Sequence, residues 1–175
     1  MGMMIFTVEN LLLLVVLIIA IITDVRSHRI PNWLTLPAII TGLGVNLISA
    51  GAGGFLFAME GLLLGTGLFI VLYIMGGMGA GDVKLMGAVG SMLGPQMVLL
   101  AALYTAISGG IYALAVIAFH PRARAIRAGL METIRKFIFF DSLKYDRPQT
   151  VEKPPKLCYG VAIAIGTIAT VILKA

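Results

Sequence analysis

Cysteine and histidine are nearly missing from this chain. Cys158 stands alone, and His28 and His120 lie at the ends of separate apolar segments. One cysteine forms no internal disulfide and leaves no Cys-x-x-Cys pair for zinc. Two distant histidines make a metal centre equally unexpected, so no metal or cofactor is expected. Charge is also scarce, at 12% of 175 residues, with only eight acids. A chain that is 59% hydrophobic and so poor in charge is not a soluble domain. The net charge of +5 would point to nucleic acid in a soluble protein. Here it is read as a record of membrane orientation, and nucleic acid is not an expected partner. No internal repeat is evident. Ser27 beside His28 does not supply a nucleophile with its base, because neighbours at i and i+1 do not face each other on a helix.

Long apolar runs are abundant. Crossing roughly 30 Å of hydrocarbon takes about 20 residues, and runs of that kind lie near 8–23, 33–50, 55–75, 96–119 and 157–173. The first has neither the basic region nor the small-residue cleavage site of a secretory signal, and is read as a retained span. The second is entered through Ile30-Pro31-Asn32, where Asn32 is expected to cap the helix. The stretch near 83–94 is short and closes on Gly94-Pro95. Charge placement decides whether it crosses. If it does, twelve of the thirteen basic residues fall on one face, with only Lys174 opposite. The positive-inside bias therefore favours six spans with both termini outside the cytoplasm. The expected fold is an all-α polytopic membrane protein, one membrane-embedded domain over residues 1–175.

The cytoplasmic loop 120–156 divides in two. Residues 121–140 place Ile126, Leu130, Ile134, Phe137 and Ile138 at helical spacing among basic residues, the pattern of an amphipathic helix lying on anionic lipid. Residues 141–156 contain Pro148, Pro154 and Pro155 and read as a connector.

In so apolar a chain, a carboxylate at a membrane edge requires a reason. Asp24 follows the first apolar run, at the helix pole where negative charge opposes the dipole. Its bland reading is a solvated loop residue paired with Arg26 or Arg29. Asp82 closes Gly79-Ala80-Gly81-Asp82 and precedes Val83, where an aspartate caps a helix favourably. Gly76, Gly77, Gly79 and Gly81 permit close backbone approach, but a flexible turn explains them as well. The two acids say more together than singly. Peptide hydrolysis needs a base for water and an acid for the carbonyl oxygen or the leaving amine. Two neighbouring carboxylates that share one proton supply both, titrating as a unit and needing no metal.

Asp24-Val25-Arg26 followed by Arg29-Ile30-Pro31-Asn32-Trp33-Leu34-Thr35 resembles the first motif of the type IV prepilin peptidases. Gly79-Ala80-Gly81-Asp82-Val83-Lys84-Leu85 resembles their second, the Gly-x-Gly-Asp motif of intramembrane aspartyl proteases. Tyr159-Gly160-Val161-Ala162-Ile163-Ala164 is similar to a late segment of the same family. The resemblance implies that Asp24 and Asp82 are the catalytic pair, supported by Gly79, Gly81, Lys84, Arg26 and Asn32. It implies a substrate too: the N-terminal leader of a prepilin or pseudopilin, cut at the cytoplasmic boundary of the bacterial inner membrane. Many relatives also N-methylate the new terminus and carry a cysteine-paired domain before the first span. Without such cysteine pairs the chain is similar to the short, peptidase-only branch of tight-adherence (Flp) pili, and N-methyltransferase activity is not expected.

Lys84 either tunes Asp82 or snorkels to headgroups. Glu60 is expected to snorkel or pair near the outer face. Gly61 and Gly65 have small-xxx-small spacing, which serves internal packing first, a docked pilin helix second and a homodimer third. A different class of function, a small proton- or ion-coupled transporter, would use the same aspartates as ion sites. Their place at one edge rather than the midplane argues against it. A noncatalytic assembly subunit would leave both aspartate motifs without a purpose.

Overall fold

The computed structural model describes residues 8–119 and 158–174. Loop 120–156, with the expected amphipathic helix, lies outside the described residues. All described elements are helical: α1 (Val8–Ser27), α2 (Asn32–Ile74), α3 (Ala80–Phe119) and α4 (Tyr159–Lys174). Among the described residues, 8–110 and 158–174 belong to one compact unit, and the far end of α3, from residue 111, belongs to another.

By length and composition α1, α2 and α3 can each cross a membrane, and α4 is a shorter apolar helix. Many large side chains on them are exposed, among them Leu11, Leu14, Ile18, Leu63, Ile70, Leu103 and Ile107. A water-soluble surface would not carry so much contiguous apolar area, whereas lipid solvates it. This is a membrane protein.

α2 has 43 residues, about 65 Å at ~1.5 Å per residue, twice the hydrocarbon thickness. It is not one rod. Ala50 and Gly51 leave helical geometry, and Gly51 adopts φ +60°, which disfavours a Cβ. Gly54 then packs on the Asn46 carbonyl. Eight residues of straight helix would separate those positions by about 12 Å, so the chain has folded back. α3 does the same at Gly94 (φ +78°), followed by Pro95, which begins the second segment. Gly65 lies against both the Met86 carbonyl and the Val98 side chain, on the two sides of that break. The described residues therefore form six helical segments, close to the runs expected from sequence.

Small residues let these segments touch. Gly61 and Gly90 meet backbone to backbone, and Gly42 lies against Ser91. Asn46 Nδ2 donates to the Gly42 carbonyl (3.0 Å) and to that of Ser91 (3.3 Å), linking α2 to α3 by a hydrogen bond as well. Gly61 and Gly65 serve packing within the chain, the first of the roles expected for them. Around this seam Leu17, Leu85, Met86, Val89, Val98 and Ile163 are fully buried. Further along α3, Ser108 Oγ donates to the Ala162 carbonyl of α4 at 3.2 Å. The last turn of α1 meets the first turn of α4 where Gly160 N–H reaches Asp24, and Lys84 near the start of α3 reaches Asn32 at the start of α2. One end of the unit thus collects the end of α1 and the starts of α2, α3 and α4.

Candidate active site

That shared end carries both aspartates. Asp24 does not follow α1, as expected, but lies inside its last turn and is only 4% exposed. The bland alternative, a solvated pairing with Arg26 or Arg29, is not its environment. Both arginines are exposed, while Asp24 Oδ2 accepts a hydrogen bond from the Gly160 N–H at 2.8 Å. The helix runs one turn past the end expected near residue 23, and in that stretch Ser27 Oγ donates to the Thr23 carbonyl (2.7 Å) and Thr23 Oγ1 to that of Ile19 (2.9 Å). Ser27 is thus the last helical residue rather than part of a loop.

Asp82 is 7% exposed and sits in the first turn of α3, whose start at Ala80 precedes the one expected at Val83. Its Oδ2 accepts from the Gly79 N–H at 3.0 Å, reaching back to the residue before the helix as the acid of a capping box does. Its own N–H donates to the Gly79 carbonyl at 3.1 Å. The cap role read from sequence is thus present in altered form, and it uses one oxygen. Oδ1 is buried and has no hydrogen-bond partner among the described residues. Such an orphan acceptor is costly inside a protein.

The two carboxylates lie within electrostatic range of each other, and Tyr159 lies within range of Asp82. Residues far apart in sequence therefore converge: Asp24 from α1, Asp82 from α3, Tyr159 and Gly160 from α4. Gly81 has a packing reason for being glycine. A Cβ there would lie 2.9 Å from the Ile30 carbonyl oxygen. The close approach is to the α1–α2 turn, not to open space.

Asn32 departs from expectation. Asn32 does not cap α2; Pro31 holds the cap position without a side-chain bond. The Asn32 Oδ1 instead accepts from Lys84 Nζ at 2.9 Å. Lys84 is thereby tied to α2 rather than to Asp82. Arg26 is exposed in the last turn of α1, and Glu60 is exposed on α2. An open hollow of about 440 Å³ lies beside the α1–α2 turn, lined by Thr23, Ser27, Arg29, Ile30, Pro31, Asn32 and Trp33. Neither aspartate lines it.

Sequence reasoning missed two features. Gly160 stands within a motif that assigns it no role. His28 and Cys158, 130 positions apart, come together with Nδ1 and Sγ 3.3 Å from one another. His28 occupies φ +50°, a strained conformation for a residue with a Cβ, and closes α1 by donating its N–H to the Asp24 carbonyl at 2.8 Å. No spacing in the sequence signals a pair so distant. Among the described residues no three of His, Cys, Asp and Glu come together as metal ligands would.

Residues 11–114 match a protein family described as the type IV leader peptidase family. A curated relative, a prepilin leader peptidase/N-methyltransferase of Bacillus subtilis (strain 168), is 28% identical over 138 residues, 73% of this chain and 54% of the relative. The chain thus spans about half the length of the relative it matches. No solved structure matches it.

Proposed function

Because this chain belongs to the type IV leader peptidase family, we propose that it is an intramembrane aspartic endopeptidase in which Asp24 and Asp82 activate water. The supporting observation is the convergence of two nearly buried carboxylates from different helices at one end of the unit. One carboxylate takes a proton from water as its oxygen attacks the peptide carbonyl carbon. The other, protonated, gives its proton to the carbonyl oxygen. Collapse of the adduct breaks the C–N bond, with a proton delivered to the departing amine.

The substrate in this reading is the N-terminal leader of a prepilin or pseudopilin. Its apolar helix packs in the bilayer against the helices, and the leader junction reaches the aspartates at the cytoplasmic boundary. The six helical segments are six crossings of a bacterial inner membrane, with both termini outside the cytoplasm and the basic loop 120–156 against anionic lipid. Pilin leaders are commonly basic as well, which makes lipid rather than leader the partner for that loop.

The test is co-expression with candidate prepilins, read as a size shift of the product. Asp24→Ala and Asp82→Ala should each abolish leader removal while the variant still accumulates in membranes. Normal processing by either variant would overturn the catalytic assignment.

A further inference from the structure

Each aspartate has one oxygen tied down and one left open. Asp82 Oδ2 is held by the Gly79 N–H and Asp24 Oδ2 by the Gly160 N–H. Asp82 Oδ1 is buried without a partner, and no hydrogen bond reaches Asp24 Oδ1 from the described residues. Resting on the peptidase reading above, we propose that Gly160 is a positioning residue for the hydrolysis, and that the pair reacts through its two Oδ1 atoms.

With Cβ fixed by the helix and Oδ2 fixed by an amide, the plane of a carboxylate is set, and so is the direction of its other oxygen. Both amides belong to helix starts. Gly160 is the second residue of α4, and the first four N–H groups of a helix have no partner within it. Donating to Asp24 therefore costs α4 no internal bond, and the positive pole of α4 faces a carboxylate. A donor built into a helix turn does not swing away during the reaction, the preorganisation that a catalytic carboxylate needs. Asp24 needs such a restraint more than Asp82 does, because it lies at the unfavourable pole of its own helix.

The identity of residue 160 follows from the same contact. A Cβ there would lie 2.9 Å from Asp24 Oδ2, 3.1 Å from its Cβ and 3.2 Å from its Cγ. Even alanine would press on the carboxylate it should hold. Gly160 also lies beyond residues 11–114, the stretch that matches the family. It makes α4 a working part of the site rather than a neighbouring helix.

Two measurements test this. The first compares kcat and KM for a leader-bearing peptide cleaved by the parent protein and by Gly160→Ala in detergent micelles. A fall in kcat of about tenfold or more, with KM within about threefold, is expected; kcat within about threefold of the parent overturns the proposal. The second follows hydrogen exchange of the Gly160 amide. An N–H without a helical partner exchanges quickly unless something else protects it. Protection should be present in the parent and lost in Asp24→Ala, while the amides of Ile163 and Ala164 stay protected in both. A Gly160 amide that exchanges alike in the two proteins overturns the proposal, and this result decides the matter if Gly160→Ala does not fold. Exchange needs no substrate, so a parent that cleaves no prepilin sinks the peptidase reading without obscuring whether Gly160 holds Asp24.

Discussion

A carboxylate taken out of water needs hydrogen bonds to offset its lost hydration. Asp24 and Asp82 each receive one from a main-chain amide, and neither is bonded to the nearest cations in sequence. Arg26 and Arg29 are exposed, and Lys84 is bonded to Asn32. The Lys84–Asn32 contact lies at the exposed rim, so it ties α3 to α2 rather than adjusting Asp82. Lys84→Ala should leave prepilin cleavage within about threefold of the parent. Asn32→Ala should match it, and the double substitution should lose no more than either alone, since both remove one exposed contact worth on the order of 0.5 kcal/mol. Cleavage assays on the three variants check this; a tenfold loss confined to Lys84→Ala would restore a direct role at Asp82. The sequence made both aspartates legible because acids are so rare in apolar segments. It could not show which oxygen each uses, since Gly79 and Gly160 bond through main-chain atoms that no side-chain pattern records. Asn32 shows the converse: a cap and a first-turn residue look alike in sequence, and its bond to a lysine 52 positions away leaves no trace in local spacing.

At the scale of elements, α2 and α3 interlock through glycines rather than through large side chains. A Cβ on Gly61 would run into the Gly90 carbonyl, and one on Gly90 into the Gly61 carbonyl. Backbone cannot rotate aside as a side chain would. Gly61→Ala or Gly90→Ala should therefore force the segments apart and destabilise the fold by about 1–3 kcal/mol, the usual cost of overpacking. At Gly44 and Gly67 an added Cβ would meet nothing within 4 Å, and alanine there should be tolerated within about 0.5 kcal/mol, as at other open surface positions. Thermal unfolding midpoints in detergent, compared across the four variants, check the contrast. Equal loss at all four would mean that contact with lipid, not the seam, governs the response, since alanine has the better helix propensity at every one of them. Gly61 and Gly65 declared themselves by their spacing. Gly90, which meets Gly61, did not, because it lies in the short stretch near 83–94, whose crossing only charge placement decides. The chain reversals were legible for a different reason: Gly51 and Gly94-Pro95 interrupt long apolar runs, and few other residues accept the backbone that a sharp reversal demands.

At the scale of the whole molecule, the question is which way the helices point. Fold-backs at Gly51 and Gly94 alternate the direction of successive segments. If Asp24 and Asp82 face the cytoplasm, both fold-backs face away from it, and residues 120–156 return to the cytoplasmic side by crossing number alone. The proposed orientation also agrees with the distribution of charge, because the nine basic residues of 120–156 resist transfer across a membrane that is negative inside. Two arguments resting on different residues thus meet in one topology, which single cysteines can test. In a Cys158→Ser background, Gly53→Cys occupies an open position next to the first fold-back and should react with a membrane-impermeant maleimide added to intact cells. Thr150→Cys should react only after the membrane is breached. Labelling of Thr150→Cys in intact cells would place the basic loop outside. The aspartates would then face a compartment in which no leader awaits removal, and the peptidase reading would fail at its most basic geometric requirement.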